Sequence, residues 1–218
     1  RDFFKTVAIT GAAMTIQRSE AMEILTQTIN KANGDKPDLV AVMGGEPEAM
    51  FRRAISELGG MKQFIKPGQK VVVKPNIGWD KVPELAGNTN PKLIIHEAIL
   101  NCDVWINVPI LKNHGGANLT ISMKNHMGIV WDRGFFHQND LQQCIADICT
   151  LEKKAVLNVV DAYRIMKTNG PRGRSASDVV LAKGLFISPD IVAVDTAAAK
   201  FFNQIRDCLL YTSPSPRD

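Results

Sequence analysis

The chemistry most visible in this sequence is a triplet that occurs twice. Lys112-Asn113-His114 is followed by Lys124-Asn125-His126, both inside VPILKNHGGANLTISMKNHMGIV, from Val108 to Val130. Lysine brings a point charge and asparagine brings directional hydrogen-bond groups. Histidine can exchange a proton near neutral pH or ligate a metal. The set suits a carboxylate, a phosphate or a divalent metal ion. The competing reading is coincidence on a solvated surface, and other residues that converge on the same place weigh against it.

In open parallel sheets, ligands bind beyond the carboxyl ends of the strands. The strand KVVV ends in Lys74-Pro75-Asn76, VWINVPIL ends in Lys112-Asn113-His114, and AVLNVV ends in Asp161. A rim of Lys74, Asn76, Lys112, His114, Lys124, Asn125 and Asp161 is therefore expected. A catalytic version would use His114 as acid–base and Lys112 and Lys124 to stabilise developing negative charge. Lys74, Asn76 and Asn125 would hold the anion, and Asp161 would ligate a metal or orient a lysine. NGPRGR, Asn169 to Arg174, adds Arg172 as an anion-binding candidate in a backbone concavity, or else is an exposed turn. Asp195 lies between Val194 and Thr196 near Ala197, which predicts a buried carboxylate that needs a partner. A rim lysine is the obvious one, and Asp195 joins Asp161 as a metal-binding or orienting residue.

The elements that position these residues follow from periodicity. DLVAVM reads as a strand. EPEAMFRRAISELGG reads as a helix with Pro47 in its first turn, Gly59 at its C-terminal cap, and Met50, Ala54, Ile55 and Leu58 on one apolar face. KVVVKPN, DVWINVPIL (Asp103 to Leu111) and AVLNVVDAY are continuous apolar strands. DVVLAKGLFIS is one strand with a glycine interruption or a strand pair. NDLQQCIADICTLEKK and PDIVAVDTAAAKFF read as helices. The second triplet admits two readings. NLTISM alternates like a strand, whereas Met123 and Met127 at i,i+4, with Asn118 as cap and Gly128 as end, suit a short helix. The helix is favoured, which would put the His114-Gly115-Gly116 loop at a helix N-terminus. Val/Ile runs alternating with helices predict an α/β fold with a mostly parallel sheet flanked by helices.

The chain of 218 residues suits a single domain with attachments, placed at 38–206. Apolar residues make up 45% and charged residues 22%, enough to build a core, and aromatics at 6% leave its filling to aliphatic side chains. The net charge of +4 is scattered, with no basic stripe of the kind that nucleic acid requires, so no nucleic-acid partner is expected. The cysteines at 102, 144, 149 and 208 show no Cys-x-x-Cys spacing. Cys144 and Cys149 read as small hydrophobes.

Both ends stand apart. Arg1, Phe3, Phe4 and Lys5 match the end of a twin-arginine export motif, and Thr6 to Met14 match its weakly apolar segment. Residues 1–16 are accordingly read as a partial signal, which places the protein in the periplasm or outside the cytoplasm; an ordinary N-terminal segment would leave it cytoplasmic. The apolar stretch is too short to span a bilayer, so no transmembrane span is expected. CLLYTSPSPRD, Cys208 to Asp218, has an abrupt change of composition, and 207–218 is read as a disordered, non-native tail.

The segments VVVKPNIGW, NTNPKL, DVWINVPILKNH, TISMKNHMGIV, LNVVDAY, NGPRG and SPDIVAVDTAAAKFF come in the order found in the domain-of-unknown-function family 362, and together the chain resembles that family from Asp38 to Phe202. The resemblance implies an α/β domain that is sometimes fused to or accompanied by ferredoxin-type iron–sulfur modules. It implies no reaction. Members usually carry a longer stretch between NTNP and INVP, whereas here KLIIHEAILNCD joins them directly. Either the member is compact or a segment at the 92–96 junction is lost and the sheet is incomplete. An iron–sulfur cluster would then belong to a missing segment or to a partner.

Two functions compete. One is an exported α/β protein that binds an anionic small molecule or a metal as a redox-associated enzyme or accessory subunit. The other is a non-enzymatic scaffold whose lysines dock an acidic ferredoxin-type partner; a truncated, inactive product is a third. A buried, pocket-forming rim supports the enzyme, and a flat, exposed rim supports docking.

Overall fold

The computed structural model describes residues 7–11, 37–76, 102–130, 133–151 and 154–211, with the side chains of 7–11 and 207–211 excepted. The expected signal residues Arg1–Lys5, the 92–96 junction and 212–218 lie outside the described residues.

Eight described strands form one sheet: β1 (Val7–Gly11), β2 (Leu39–Met43), β3 (Val71–Pro75), β4 (Val104–Val108), β5 (Ile110–His114), β6 (Asn118–Thr120), β7 (Leu157–Met166) and β8 (Val179–Ser188). The main order is β1-β2-β8-β7-β4-β3, and β5 pairs with both β6 and β7. The fold is α/β as expected, and its sheet is mixed. β1–β2, β3–β4, β4–β7 and β5–β7 are parallel, while β8 runs antiparallel to both neighbours and β6 runs antiparallel to β5. Val7–Gly11, inside the stretch read as a signal, pairs with β2 along the sheet edge.

Helices cover both faces. α1 (Pro47–Glu57) starts with its proline in the first turn and buries Met50, Ala54 and Ile55. Its end is closed by Gly59 N–H donating to Ser56 O and Gly60 N–H to Ile55 O, with Gly59 at φ 91°, where a side chain would be strained. Alternation along the strands sends Val40, Val42, Ile106, Val108, Leu157, Val159, Leu185 and Ile187 towards α1. The opposite set, including Leu39, Ala41, Val160, Ala162 and Phe186, packs on α5 (Ile191–Tyr211) through Val194, Ala198 and Phe202. The last turns of α5 reach into the region read as a tail, as far as Tyr211.

Three expectations need correction. DVWINVPIL is two strands, because Pro109 has no N–H to give a ladder; its carbonyl accepts from Asp161 N–H at 2.8 Å, and β5 goes on to pair with the outer half of β7. Asp161 is not at a strand end, because β7 continues to Met166 between β5 and β8. The His114-Gly115-Gly116 loop is the β5–β6 hairpin turn, not a helix N-terminus. Asn118, at φ 61°, opens β6 and caps no helix.

The second triplet begins in α2 (Ser122–Asn125) and runs into a 3-10 turn, His126–Ile129. α3 (Arg133–Gln138) and α4 (Leu141–Ile148) pack over it, with Phe136 and Ile145 against Met127 and Ala117. The four-residue α2 lies on the same sheet face as α5.

Candidate functional site

The register places four polar residues side by side across four strands. Lys74 pairs with Asn107, Asn107 with Asn158, and Asn158 with Ser188. All four face α2 and α5, the side opposite α1. A buried polar group must find partners or cost free energy, and here a directional chain supplies them. Lys74 Nζ donates to Asn125 Oδ1 at 2.8 Å, Asn125 Nδ2 to Asn107 Oδ1 at 2.8 Å, Asn107 Nδ2 to Asn158 Oδ1 at 3.0 Å, and Asn158 Nδ2 to Ser188 O at 3.4 Å. Ser188 O can only accept. Every amide upstream must therefore turn its nitrogen towards β8 and its oxygen towards β3. The row ends in an acceptor aimed at Lys74, the arrangement that suits a charged ammonium.

α2 is held over this row from both ends. Asn107 Nδ2 also donates to Ser122 O at 3.1 Å. Asp195, from α5, accepts the N–H groups of Ser122 at 2.8 Å and Met123 at 2.9 Å. The expected lysine partner of Asp195 is thus replaced by the start of a helix, whose free N–H groups favour a carboxylate. Burial pushes the Asp195 carboxyl up to about 6 despite these two bonds. Asp190 caps its own helix, accepting from Val192 and Ala193 N–H.

Around α2 the cations crowd. Burial lowers Lys74 to about 8, helped by Arg133 and Lys124. Burial lowers Lys112 to about 8, helped by Lys124. Lys124 is lowered by burial and by Arg133. Lys112 is 1% exposed and donates to Pro171 O at 3.3 Å. Lys124 Nζ meets Met127 Sδ at 3.3 Å. The ion pairs between described residues are Arg52–Glu48, Arg53–Glu57 and Lys183–Glu46, so neither Lys74 nor Lys124 meets a carboxylate among them. Gly128 makes the close approach possible, since a Cβ there would lie 2.5 Å from Lys74 Nζ.

His114 stands at the edge of the cluster, stacked on His137 at 6.4 Å between ring centroids. Burial lowers it to about 4, with Lys124, His137 and Lys112 adding to the shift. The rim expected from the sequence therefore separates. Lys74, Lys112, Lys124, His114 and Asn125 form one connected set: Lys74 bonds Asn125, Lys124 bears by charge on Lys74, Lys112 and His114, and Lys112 bears on His114. Asn76 follows β3, with its N–H on Val108 O. Asp161 is 5% exposed and its Oδ1 accepts from Tyr163 N–H, an orienting arrangement within its own strand. Arg172 is exposed on the 169–174 loop, next to Pro171. The end of that loop is turned onto a carboxylate of this chain. Asp178 accepts from Arg174 N–H, Ser175 N–H, Asn169 Nδ2 and Thr168 Oγ1, which holds its carboxyl well below the usual range.

The structure adds residues that the sequence reading missed. Asn107 and Asn158 interrupt apolar strands, in INVP and LNVV, and such an interruption is the signal that could have found them. His126 is 5% exposed, lies 4.8 Å from the Trp105 ring and has its Nδ1 3.5 Å from Cys149 Sγ, while its Nε2 has no hydrogen-bond partner among the described residues. Burial moves His126 down to about 4 and Cys149 up to about 11, so at neutral pH they are imidazole and thiol, not an ion pair.

No group of three or more His, Cys, Asp or Glu among the described residues is placed to hold a metal ion. Among the described residues, Cys102 packs with Val72, Trp105 and Ala155, while Cys144 packs with Ala117, Met127, Phe136 and Ile145 in a separate cluster. Among the described residues no helix is long and apolar enough to cross a membrane. Residues 92–200 match the family described as "Domain of unknown function (DUF362)". No curated protein and no solved structure matches the chain.

Proposed function

The chain belongs to the DUF362 family, and from that premise we propose that it binds an anionic small molecule among Lys74, Lys112 and Lys124, as a redox-associated enzyme or accessory subunit. One observation carries the reading. Lys74 and Lys124 are part-buried beside Arg133, and neither has a carboxylate among the described residues. Buried like charges repel and lose hydration, and an anion in their midst would relieve both costs. Burial of Lys74 and Lys112 also favours a small ligand over the docking of an acidic ferredoxin-type protein, which needs exposed charge. Export and a redox partner rest on Arg1–Lys5 and on the order of motifs in the sequence.

The test is calorimetric titration with oxalate and with inorganic phosphate. Wild type should bind at least one of them, and Lys74→Met and Lys124→Met should each weaken binding by about tenfold or more. Equal binding by both variants would sink the site.

A further inference from the structure

His114 is held in a way that fixes which of its nitrogens carries the proton. Its Nδ1 accepts two backbone hydrogen bonds from the hairpin turn, Gly116 N–H at 3.1 Å and Ala117 N–H at 3.0 Å. A nitrogen that accepts from two donors cannot carry a proton of its own. The neutral ring must therefore keep its proton on Nε2, and protonating the ring would set an N–H against two others. Gly116 lies over the ring, with a Cβ built there 3.7 Å from Cε1 and 3.8 Å from Nδ1, so the turn holds the imidazole closely. His137 from α3 stacks on it, and Lys112 from β5 and Lys124 from α2 bear on it by charge.

The geometry points to His114 as a fixed, neutral Nε2–H hydrogen-bond donor at the lysine cluster, selecting ligands that carry an uncharged carbonyl oxygen beside a carboxylate. This rests on the anion-binding reading and changes one role within it, since His114 is neither the general base nor an imidazolium. A second anionic group would find its best partner in another cation. A neutral N–H instead suits a carbonyl oxygen, and the bond strengthens as negative charge gathers there. The ligand class is a 2-oxo carboxylate, with its carboxylate on the lysines and its keto oxygen on His114.

The test uses the full chain with pyruvate and propionate, which differ by the keto oxygen. Wild type should prefer pyruvate by about 3- to 10-fold, the range for one neutral hydrogen bond. His114→Ala should erase that preference and leave propionate binding within about 2-fold, and His114→Gln, which keeps a neutral N–H, should restore part of it. Independently of any variant, nitrogen-15 spectra of wild type should show His114 as the Nε2–H tautomer from pH 6 to 8. An Nδ1–H tautomer or an imidazolium in that range would overturn the inference, as would a preference for pyruvate that His114→Ala leaves intact. If wild type binds both acids equally, the His114 role fails and the anion site stands. If it binds neither acid and neither oxalate nor phosphate, the anion site fails with it.

Discussion

Gly128→Ala moves one charge without removing it. Gly128 has no left-handed φ, so alanine fits the backbone. The new Cβ would come within 2.5 Å of Lys74 Nζ and 2.6 Å of Cε, closer than real Cβ contacts allow. The ammonium is the end of a flexible chain and must swing away, giving up its 2.8 Å bond to Asn125 Oδ1. Losing that bond costs about 1.5–3 kcal/mol, and replacing glycine returns about 0.4–1 kcal/mol by restricting the unfolded chain. Net destabilisation of about 1–2 kcal/mol is expected. The effect on binding is larger in proportion. At an effective dielectric constant of about 20, retreat of the ammonium from roughly 3 Å to roughly 5 Å from an anionic oxygen lowers the attraction from about 5.5 to about 3.3 kcal/mol. That difference is a loss of affinity of roughly 40-fold, which partial exposure to water trims towards about 10-fold. The assay pairs urea unfolding with oxalate titration. Wild-type affinity in a Gly128→Ala protein that still folds would show that the place of Lys74 does not matter to the ligand, and the reasoning from the polar row to the anion would fail.

The other predictions share this framework. Lys74 and Lys112 have folded values near 8, below their ordinary 10.5, so between these limits the unfolded chain holds more protons. Stability without ligand should therefore rise as pH climbs from about 8 to about 10.5, and be lowest, as far as these groups act, below 8. Oxalate binding should take up protons near pH 8, seen as a dependence of the calorimetric heat on buffer ionisation enthalpy, and should weaken above that pH. Asn107→Leu removes the donor to Asn158 Oδ1 and Ser122 O and leaves Asn125 Nδ2 with its 3.5 Å bond to Lys74 O, and should destabilise by about 3–5 kcal/mol in urea unfolding. Asp195→Ala frees two N–H groups at the start of α2 and should cost about 1–2 kcal/mol, with a weaker Lys124 contribution to binding.

Local chemistry made part of this molecule legible. The buried face of α1 is visible in the spacing of Met50, Ala54, Ile55 and Leu58, and its start and end in Pro47 and Gly59. The lysines and His114 could be singled out because two identical triplets are unusual in an apolar stretch. What stayed hidden depends on register and long-range pairing. Nothing near Asp161 says that β7 runs five residues further, because the strands that sustain it come from 110–114 and 179–188. The row of Lys74, Asn107, Asn158 and Ser188 exists only once four strands are in register. Asp195 was expected to need a partner, and the partner proved to be the backbone of α2, which side-chain chemistry alone does not suggest. Pro109 was in plain sight, and its effect follows from its missing N–H.

The antiparallel strand β8 also sets an order of events in folding. β2 reaches the rest of the sheet through β8, with Val40 opposite Ile187. On a ribosome, β1 and β2 emerge early and must wait for nearly the whole described chain before their inner edge is filled. Until then that edge is an open row of backbone donors and acceptors, able to pair with a second nascent chain. Such long-range closure makes for slow folding, and a chain broken off before Val179 would keep its N-terminal strands permanently adrift from the polar row. Chaperone demand, in this fold, should track the wait for β8 more than the helices that decorate it.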